Sequence, residues 1–244
     1  QFHFRRMQRA TLNPALRQQE ILLDILRANR NTEFGRTHHF DAIKSIADFR
    51  QRFPVRSAAE YGSYLKRLYQ GEKNLLTAES PYFFAMTAGS TGDYKYIPVT
   101  KRFKKELDRS VYAFYHLLEN NCPEFNAAPI QFFVGSAEGG TSPGGVPQGF
   151  ISGFNYKNLP AFIRRKFVIP YWVFTLTDMD DRFYAMGRFL VASDKVAGFG
   201  GFSPLAIINM VKTLLRNLPM LEQDIRDGTL TLNQTVTNGR GRFT

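Results

Sequence analysis

The chain has 244 residues, 43% of them hydrophobic, which allows a sizeable core and excludes gross disorder. Its formal net charge of +11 would attract nucleic acid, anionic lipid or a polyanionic small molecule, but the basic residues are spread out and no zinc-finger spacing or other nucleic-acid signature appears. A single cysteine, Cys122, excludes an intrachain disulfide and any multi-cysteine metal site. No apolar stretch approaches the roughly 20 residues that a membrane span needs. The expected setting is cytoplasmic, with no nucleic-acid and no membrane partner.

Asn13-Pro14 opens the first clear helix, residues 14–30, with Pro14 in its first turn. Leu16, Ile21, Leu22, Leu23, Ile25 and Leu26 give it a broad apolar face. Thr37-His38-His39 follows as a loop. Adjacent histidines point in different directions, and no acidic or cysteine partner stands at ligand spacing, so no metal ligands are assigned. A short helix over 46–53 ends at Pro54. Ser57 and Glu60 then form a capping-box pattern for a helix carrying Tyr61, Tyr64, Leu65 and Leu68, which Gly71 terminates.

The next stretch organises the chain. Residues 82–86 are an apolar run of strand length, and Tyr96-Ile97-Pro98-Val99 reads as a second strand with Pro98 at an edge or an end. Between them runs Thr87-Ala88-Gly89-Ser90-Thr91-Gly92-Asp93-Tyr94-Lys95. Two glycines permit a tight turn and close approach to a ligand, turn N–H groups can form a concave anion nest, and the hydroxyls and Lys95 add donors and positive charge. These are the parts of a polyphosphate cradle. The same composition also makes an ordinary solvated hairpin. It is not a Walker loop: the spacing differs, and a strand rather than a helix follows.

Thr100 caps a long helix to about residue 120, with Phe103, Leu107, Val111, Phe114 and Leu118 as its apolar stripe. Lys101, Arg102, Lys104 and Lys105 crowd its first turns, where the helix dipole costs each cation about 0.3–1 kcal/mol. A nearby anion or screening water would offset that cost. Residues 130–134 read as a buried strand. Residues 135–153 are rich in glycine and read as a long loop without helix or strand, within which Thr141-Ser142-Pro143-Gly144-Gly145 serves either as a second phosphate nest or as a structural crossover. A strand over 168–172, a helix over 180–193, a strand over 196–199 and a helix over 203–218 follow. The last of these carries Leu205, Ile208, Val211, Leu214 and Leu215. A final turn closes over 224–228. The strand–helix alternation implies an α/β fold with a partly parallel sheet in a single domain.

The order of residues in the central stretch resembles the phosphate-loop signature of the acyl-adenylate-forming enzymes, [ST]-S-G-[ST]-T-G-x-x-K, departing from it at Ala88, where a serine is usual. Four further stretches are similar to one branch of that superfamily, the Gretchen Hagen (auxin-responsive) family of acyl-acid amido synthetases. They are Asn31-Thr32-Glu33-Phe34-Gly35-Arg36, Phe49-Arg50-Gln51-Arg52-Phe53-Pro54-Val55, Gly71-Glu72-Lys73-Asn74-Leu75-Leu76-Thr77 and Asp224-Ile225-Arg226-Asp227-Gly228-Thr229-Leu230. The resemblance covers most of the chain in the expected order.

What the resemblance implies is an ATP-dependent ligase that activates a carboxylic acid as an acyl-adenylate and transfers it to an amine or amino acid. Thr87, Ala88, Gly89, Ser90, Thr91 and Gly92 would bind the nucleotide phosphates, Lys95 would follow the departing pyrophosphate, and magnesium would bridge phosphate oxygens. The fold implied is the N-terminal part of the large adenylating domain, a mixed sheet with flanking helices. The family's adenine-binding motif, ribose-binding aspartate and small C-terminal domain have no counterpart within these 244 residues, so the chain alone is expected to be inactive. A non-catalytic nucleotide- or phosphate-binding module and a basic nucleic-acid or membrane-surface protein are the competing readings.

Overall fold

The apolar stretches flanking the glycine–hydroxyl run pair antiparallel as β1 (Phe83–Ala88) and β2 (Tyr94–Val99), with Phe83 opposite Val99 and Ala88 opposite Tyr94. The structure is a computed structural model that describes residues 2–88, 94–201 and 203–233. β3 (Ile130–Phe133), β4 (Gln148–Gly149) and β5 (Gly198–Gly201) complete the strands among the described residues. They form a mixed three-stranded sheet ordered β2-β1-β4 and a parallel pair β3-β5. The expected mixed α/β class is what forms, and Pro98 does lie on an edge strand, where its missing N–H breaks no ladder. The chain divides into two compact units, Gln1–Leu118 with Gly139–Gly149, and Glu119–Glu138 with Phe150–Thr244.

In the first unit, α1 (Phe2–Thr11) precedes α2 (Pro14–Asn29), whose first turn is capped by the Asn13 side chain accepting from the Leu16 N–H at 3.1 Å. α3 (Glu33–Thr37), α4 (Ile46–Arg52) and α5 (Gly62–Tyr69) follow. The capping-box segment is a separate 3₁₀ turn, Ala58–Tyr61, ahead of α5, with the Glu60 carboxylate accepting the Ser57 N–H at 2.7 Å. Leu26 of α2 packs with Phe34, Phe40 and Ile43, while Phe49 and Phe53 stack at 4.9 Å on the rim of that cluster. His38 lies against Phe34, 4.2 Å between ring centroids, and burial in this aromatic setting, with Arg56 and His39 nearby, lowers its pKa.

Three of the stretches behind the family resemblance meet in this unit. Thr32, fully buried, accepts the Gly35 N–H at 2.9 Å and donates to the Asn29 carbonyl at 2.8 Å. A side chain at residue 35 would put its Cβ 2.1 Å from that same carbonyl oxygen, so only glycine fits. The Glu33 and Phe34 N–H groups donate to the carbonyls of Asn74 and Leu75 at 2.9 and 3.0 Å, and the Arg67 guanidinium grips the Glu33 carboxylate with two bonds of 2.8 and 2.7 Å while also pairing with Glu72.

α6 (Lys101–Asn121) starts beyond β2, with the Thr100 hydroxyl accepting the Phe103 N–H at 3.2 Å. Its expected core stripe is only partly used: Phe103 and Phe114 are each 51% exposed, and Ala113 is its buried residue. Leu107, Val111 and Leu118 of that stripe are half-buried, as are Lys104, Asp108 and Tyr112 on the neighbouring face, where the Tyr112 ring stacks on His3 and His116 meets Phe4 of α1 edge-on. Periodicity located an apolar face, and tertiary packing covers part of it and part of the neighbouring one.

In the second unit, α7 (Pro123–Ala127), β3, α8 (Ile151–Lys157) and α9 (Ala161–Arg164) lead to α10 (Met179–Val191), β5, α11 (Pro204–Arg216) and α12 (Leu218–Asp227). Phe133, Ile169, Val173, Phe174, Met186 and Met210 form its core. Three expectations change here. Residues 168–172 do not make a strand: a single bridge joins Ile130 to Phe167, and Pro170, which has no N–H for a ladder, starts a 3₁₀ turn at Tyr171–Thr175. Residues 135–153 are not structureless, because β4 pairs with β1 and α8 begins at Ile151. The strand expected at 196–199 lies at Gly198–Gly201, placed by its pairing with β3 rather than by propensity. On α11 the expected stripe is buried only at Leu214, while Leu205 and Leu215 are about 60% exposed, at 61% and 62%.

Candidate functional site

β1 is the central strand of its sheet, and Phe83, Phe84 and Ala85 are all buried, as a strand covered on both faces requires. Side chains alternate along it. Phe84 and Met86, opposite Pro98 and Tyr96, take one face; Phe83, Ala85 and Thr87, opposite Val99, Ile97 and Lys95, take the other. Thr87 and Lys95 are therefore cross-strand partners at the open end of the pair, with Cβ atoms about 5 Å apart for such a pair. Both are exposed, and Lys95 has no ion pair among the described residues. Ala88 sits opposite Tyr94, one step nearer the connection. The other expected binding residues, Gly89, Ser90, Thr91 and Gly92, lie outside the described residues.

The opposite face is fixed from below. Tyr69, at the end of α5, stacks on Tyr96 at 4.6 Å and meets Phe84 edge-on at 5.3 Å. Its hydroxyl donates to the Gln148 side-chain carbonyl at 2.7 Å, and the Gln148 amide donates to the Gly139 carbonyl at 3.1 Å. Since Gln148 belongs to β4, this chain of bonds ties α5, β1 and β4 together. The sequence reading passed over Tyr69 and Gln148. Tyr69 follows the apolar face of α5 by one residue, and a glutamine in a glycine-rich stretch carries no local signal.

Thr141-Ser142-Pro143-Gly144-Gly145 resolves the choice between nest and crossover. The Ser142 N–H donates to the Val146 carbonyl at 2.8 Å, the Gly144 N–H to the Tyr69 carbonyl at 3.2 Å, and the Gly145 N–H to the Ser142 carbonyl at 2.9 Å. The Val146 N–H is taken by the Ser142 hydroxyl at 3.1 Å. An anion nest needs converging free N–H groups, and these are engaged. The turn lies so close to the end of α5 that a Cβ on Gly144 would come within 2.5 Å of Gly71, itself at φ +103°. The segment is a structural crossover that backs the strand pair.

In the second unit, Glu138 accepts from Lys157 at 2.8 Å, from Tyr171 at 2.6 Å and from Ser136 at 3.0 Å. Burial pushes its carboxyl up, but these bonds outweigh burial and hold it below the usual range, while Tyr171 is pushed up to about 12. A carboxylate so thoroughly engaged serves as a tie and not as a base.

Comparison with known proteins fits this geometry. A family profile described as the GH3 family N-terminal domain matches residues 3–242. The indole-3-acetic acid-amido synthetase GH3.6 of Arabidopsis thaliana is 23% identical over 234 residues, covering 91% of this chain and 38% of that protein. The probable indole-3-acetic acid-amido synthetase GH3.2 of Oryza sativa subsp. japonica is 26% identical over 231 residues, covering 89% of this chain and 37% of that one. A solved GH3.15 acyl acid amido synthetase superposes with a TM-score of 0.78 at 21% identity, over 93% of this chain and 41% of its own, which establishes the shared fold. The chain thus spans well under half the length of these relatives. With a profile match along almost all of its residues, the chain belongs to the GH3 family.

Proposed function

We propose that the β1–β2 hairpin grips the phosphates of ATP, and that the protein activates a carboxylic acid as an acyl-adenylate and passes the acyl group to an amine or amino acid. The observation that supports this reading is Lys95, an exposed cation with no ion pair among the described residues, set opposite the Thr87 hydroxyl at the open end of a strand pair pinned on its other face. The residues fit the group: the charge and hydroxyl have no competing partner among the described residues, and the scaffold beneath them is held by packing. Thr87, Ala88 and the Gly89, Ser90, Thr91 and Gly92 run would bind the β- and γ-phosphates, and Lys95 would stabilise charge on the leaving pyrophosphate. Magnesium bound with the nucleotide would neutralise charge on the phosphates. ATP supplies the adenylyl group that turns an unreactive carboxylate into an acylating agent.

The names of the relatives narrow the substrate class. Two are amido synthetases of indole-3-acetic acid, and a GH3.15 synthetase is described in complex with 2,4-DB, so an aromatic carboxylic acid is the proposed acyl donor here. In the same proposal, residues 1–244 form the N-terminal part of one adenylating domain, working in the cytoplasm and inactive without the remainder found in the relatives. Among the described residues no helix is long and apolar enough to cross a membrane.

The test is ATP–pyrophosphate exchange in the complete gene product across a panel of aromatic carboxylic acids. Exchange that requires the acid supports the proposal. Nucleotide binding without acid-dependent exchange identifies a non-catalytic module instead, and substantial exchange by residues 1–244 alone removes the claim that they need the remainder.

A further inference from the structure

The basic cluster at the start of α6 does not belong to the phosphate loop. Lys95 stands at one end of β2 and Lys101 just past the other; four strand residues and Thr100 lie between them, a span approaching about 20 Å at the usual rise. Positions 101, 104, 105, 108, 109 and 112 recur at three- and four-residue intervals, so they share one face of the helix. That face, with His3 of α1 and Tyr82, encloses a groove of about 370 Å³, within the range of small-ligand sites.

The charges in this groove are unbalanced. Lys101, Lys104, Lys105 and Arg109 face one carboxylate, Asp108. Asp108 pairs with Lys104, whose side chain is only 13% exposed, and Arg109 pairs with Glu106. Lys101 and Lys105 have no ion pair among the described residues. Two N–H groups of the first turn are already taken: Glu79 accepts the Arg102 N–H at 3.0 Å and Thr100 accepts the Phe103 N–H at 3.2 Å. The attraction for an anion therefore rests on the side chains.

A second observation points the same way. Three buried side-chain polar atoms among the described residues lack a hydrogen-bond partner, and two of them, His3 Nδ1 and Arg109 Nε, belong to residues lining this groove. A buried polar atom without a partner is costly, so such atoms are usually satisfied by a ligand, ion or water. Arg Nε can only donate and imidazole Nδ1 can donate, so a partner common to both must be an acceptor. The aromatic rings of Tyr82 and Tyr112 complete the wall and offer an apolar surface to an organic body.

We propose that the groove between α1 and α6 binds a small phosphate-bearing organic anion, separate from the nucleotide site proposed at the hairpin. A phosphate monoester fits: its dianion is met by Lys101 and Lys105, its oxygens reach the orphaned donors, and its organic part lies against the tyrosine rings. The proposal is independent of the adenylation reading.

The test titrates phenyl phosphate into the purified chain by calorimetry, using three proteins: the unaltered chain, the double variant Lys101→Ala/Lys105→Ala, and Lys95→Ala. Both groove lysines are exposed, so the double variant should melt at the parent temperature. The expected result is at least a tenfold loss of affinity in the double variant and no change in Lys95→Ala. Affinity lost in Lys95→Ala and kept in the double variant would assign the anion to the hairpin and overturn the proposal. So would the absence of measurable binding to the unaltered chain. Co-sedimentation with phosphatidylserine vesicles separates a lipid source from a soluble one: binding to vesicles that persists in excess phenyl phosphate overturns the small-ligand assignment, and failure to bind them supports it.

Discussion

Replacing Asp224 by alanine is expected to destabilise the second unit by roughly 3–5 kcal/mol, because several buried donors lose their acceptor at once. Asp224 is only 2% exposed. One carboxylate oxygen accepts from the Tyr184 hydroxyl at 2.8 Å and the Thr231 N–H at 2.7 Å; the other accepts from the Thr229 and Thr231 hydroxyls at 2.7 and 2.8 Å. The Asp224 main-chain carbonyl takes the Thr229 N–H at 2.8 Å and Arg188 at 3.1 Å. One residue thereby fastens the segment after α12 to α10. A fall in melting temperature on the order of 10 °C follows for a chain of this size. Asn would rescue little, since its NH₂ group would meet donors where an acceptor is needed.

The same group makes the fold sensitive to acid. Burial alone raises the Asp224 carboxyl, but the Thr231 N–H and the hydroxyls of Thr229, Tyr184 and Thr231 outweigh it, and the net shift is downward. A carboxyl whose pKa is lower folded than unfolded contributes its full stability above the ordinary value of about 4 and loses it as pH falls through the lowered one. Stability of the unaltered protein should therefore drop steeply below about pH 4. In Asp224→Asn that contribution is absent, so chemical denaturation followed from pH 6 to pH 3 should show a shallower slope. Equal slopes would contradict the assignment.

Lys95→Ala is expected to lower the rate of acid-dependent ATP–pyrophosphate exchange in the complete gene product about 100- to 1000-fold, the usual cost of losing one preorganised charge at a transition state. The loss should fall mainly on kcat, because the lysine's proposed work is on charge that develops as pyrophosphate leaves. Lys95→Arg should recover only part of the rate, since a planar guanidinium fork does not replace a compact ammonium. Thermal stability should not change, because Lys95 is exposed and holds no ion pair among the described residues. A variant with kcat within a few-fold of the parent would remove Lys95 from the reaction.

Local signals in the sequence were strong wherever short-range chemistry decides. Asn13-Pro14 places the start of α2, Thr100 places the start of α6, and the two apolar runs around the glycine–hydroxyl stretch place the hairpin. Long-range pairing was less visible. β5 is a glycine-rich segment made into a strand by β3, and Pro170 turns an apolar run into a 3₁₀ turn. The apolar stripes of α6 and α11 marked faces that the described residues leave half open.

The candidate site was legible in part. Thr87, Ala88 and Lys95, expected in the bend between the strands, lie instead within the paired strand ends, because the ladder runs further than the apolar runs, while Tyr69 and Gln148, which brace the hairpin, carry no sequence pattern of their own. The four stretches that revealed the family have a physical meaning as well. Two are joined through Thr32, Gly35, Arg67 and backbone bonds to Asn74 and Leu75; a third supplies Phe49 and Phe53 to the neighbouring cluster; the fourth contains Asp224. They are the fastenings of the fold rather than its chemistry.

The most direct measurement of the central claim is a crystal structure of the protein with magnesium and a non-hydrolysable ATP analogue. The account predicts the β- and γ-phosphates between the ends of β1 and β2, with Lys95 Nζ about 3 Å from a phosphate oxygen. A triphosphate bound elsewhere, with Lys95 directed into solvent, would contradict it.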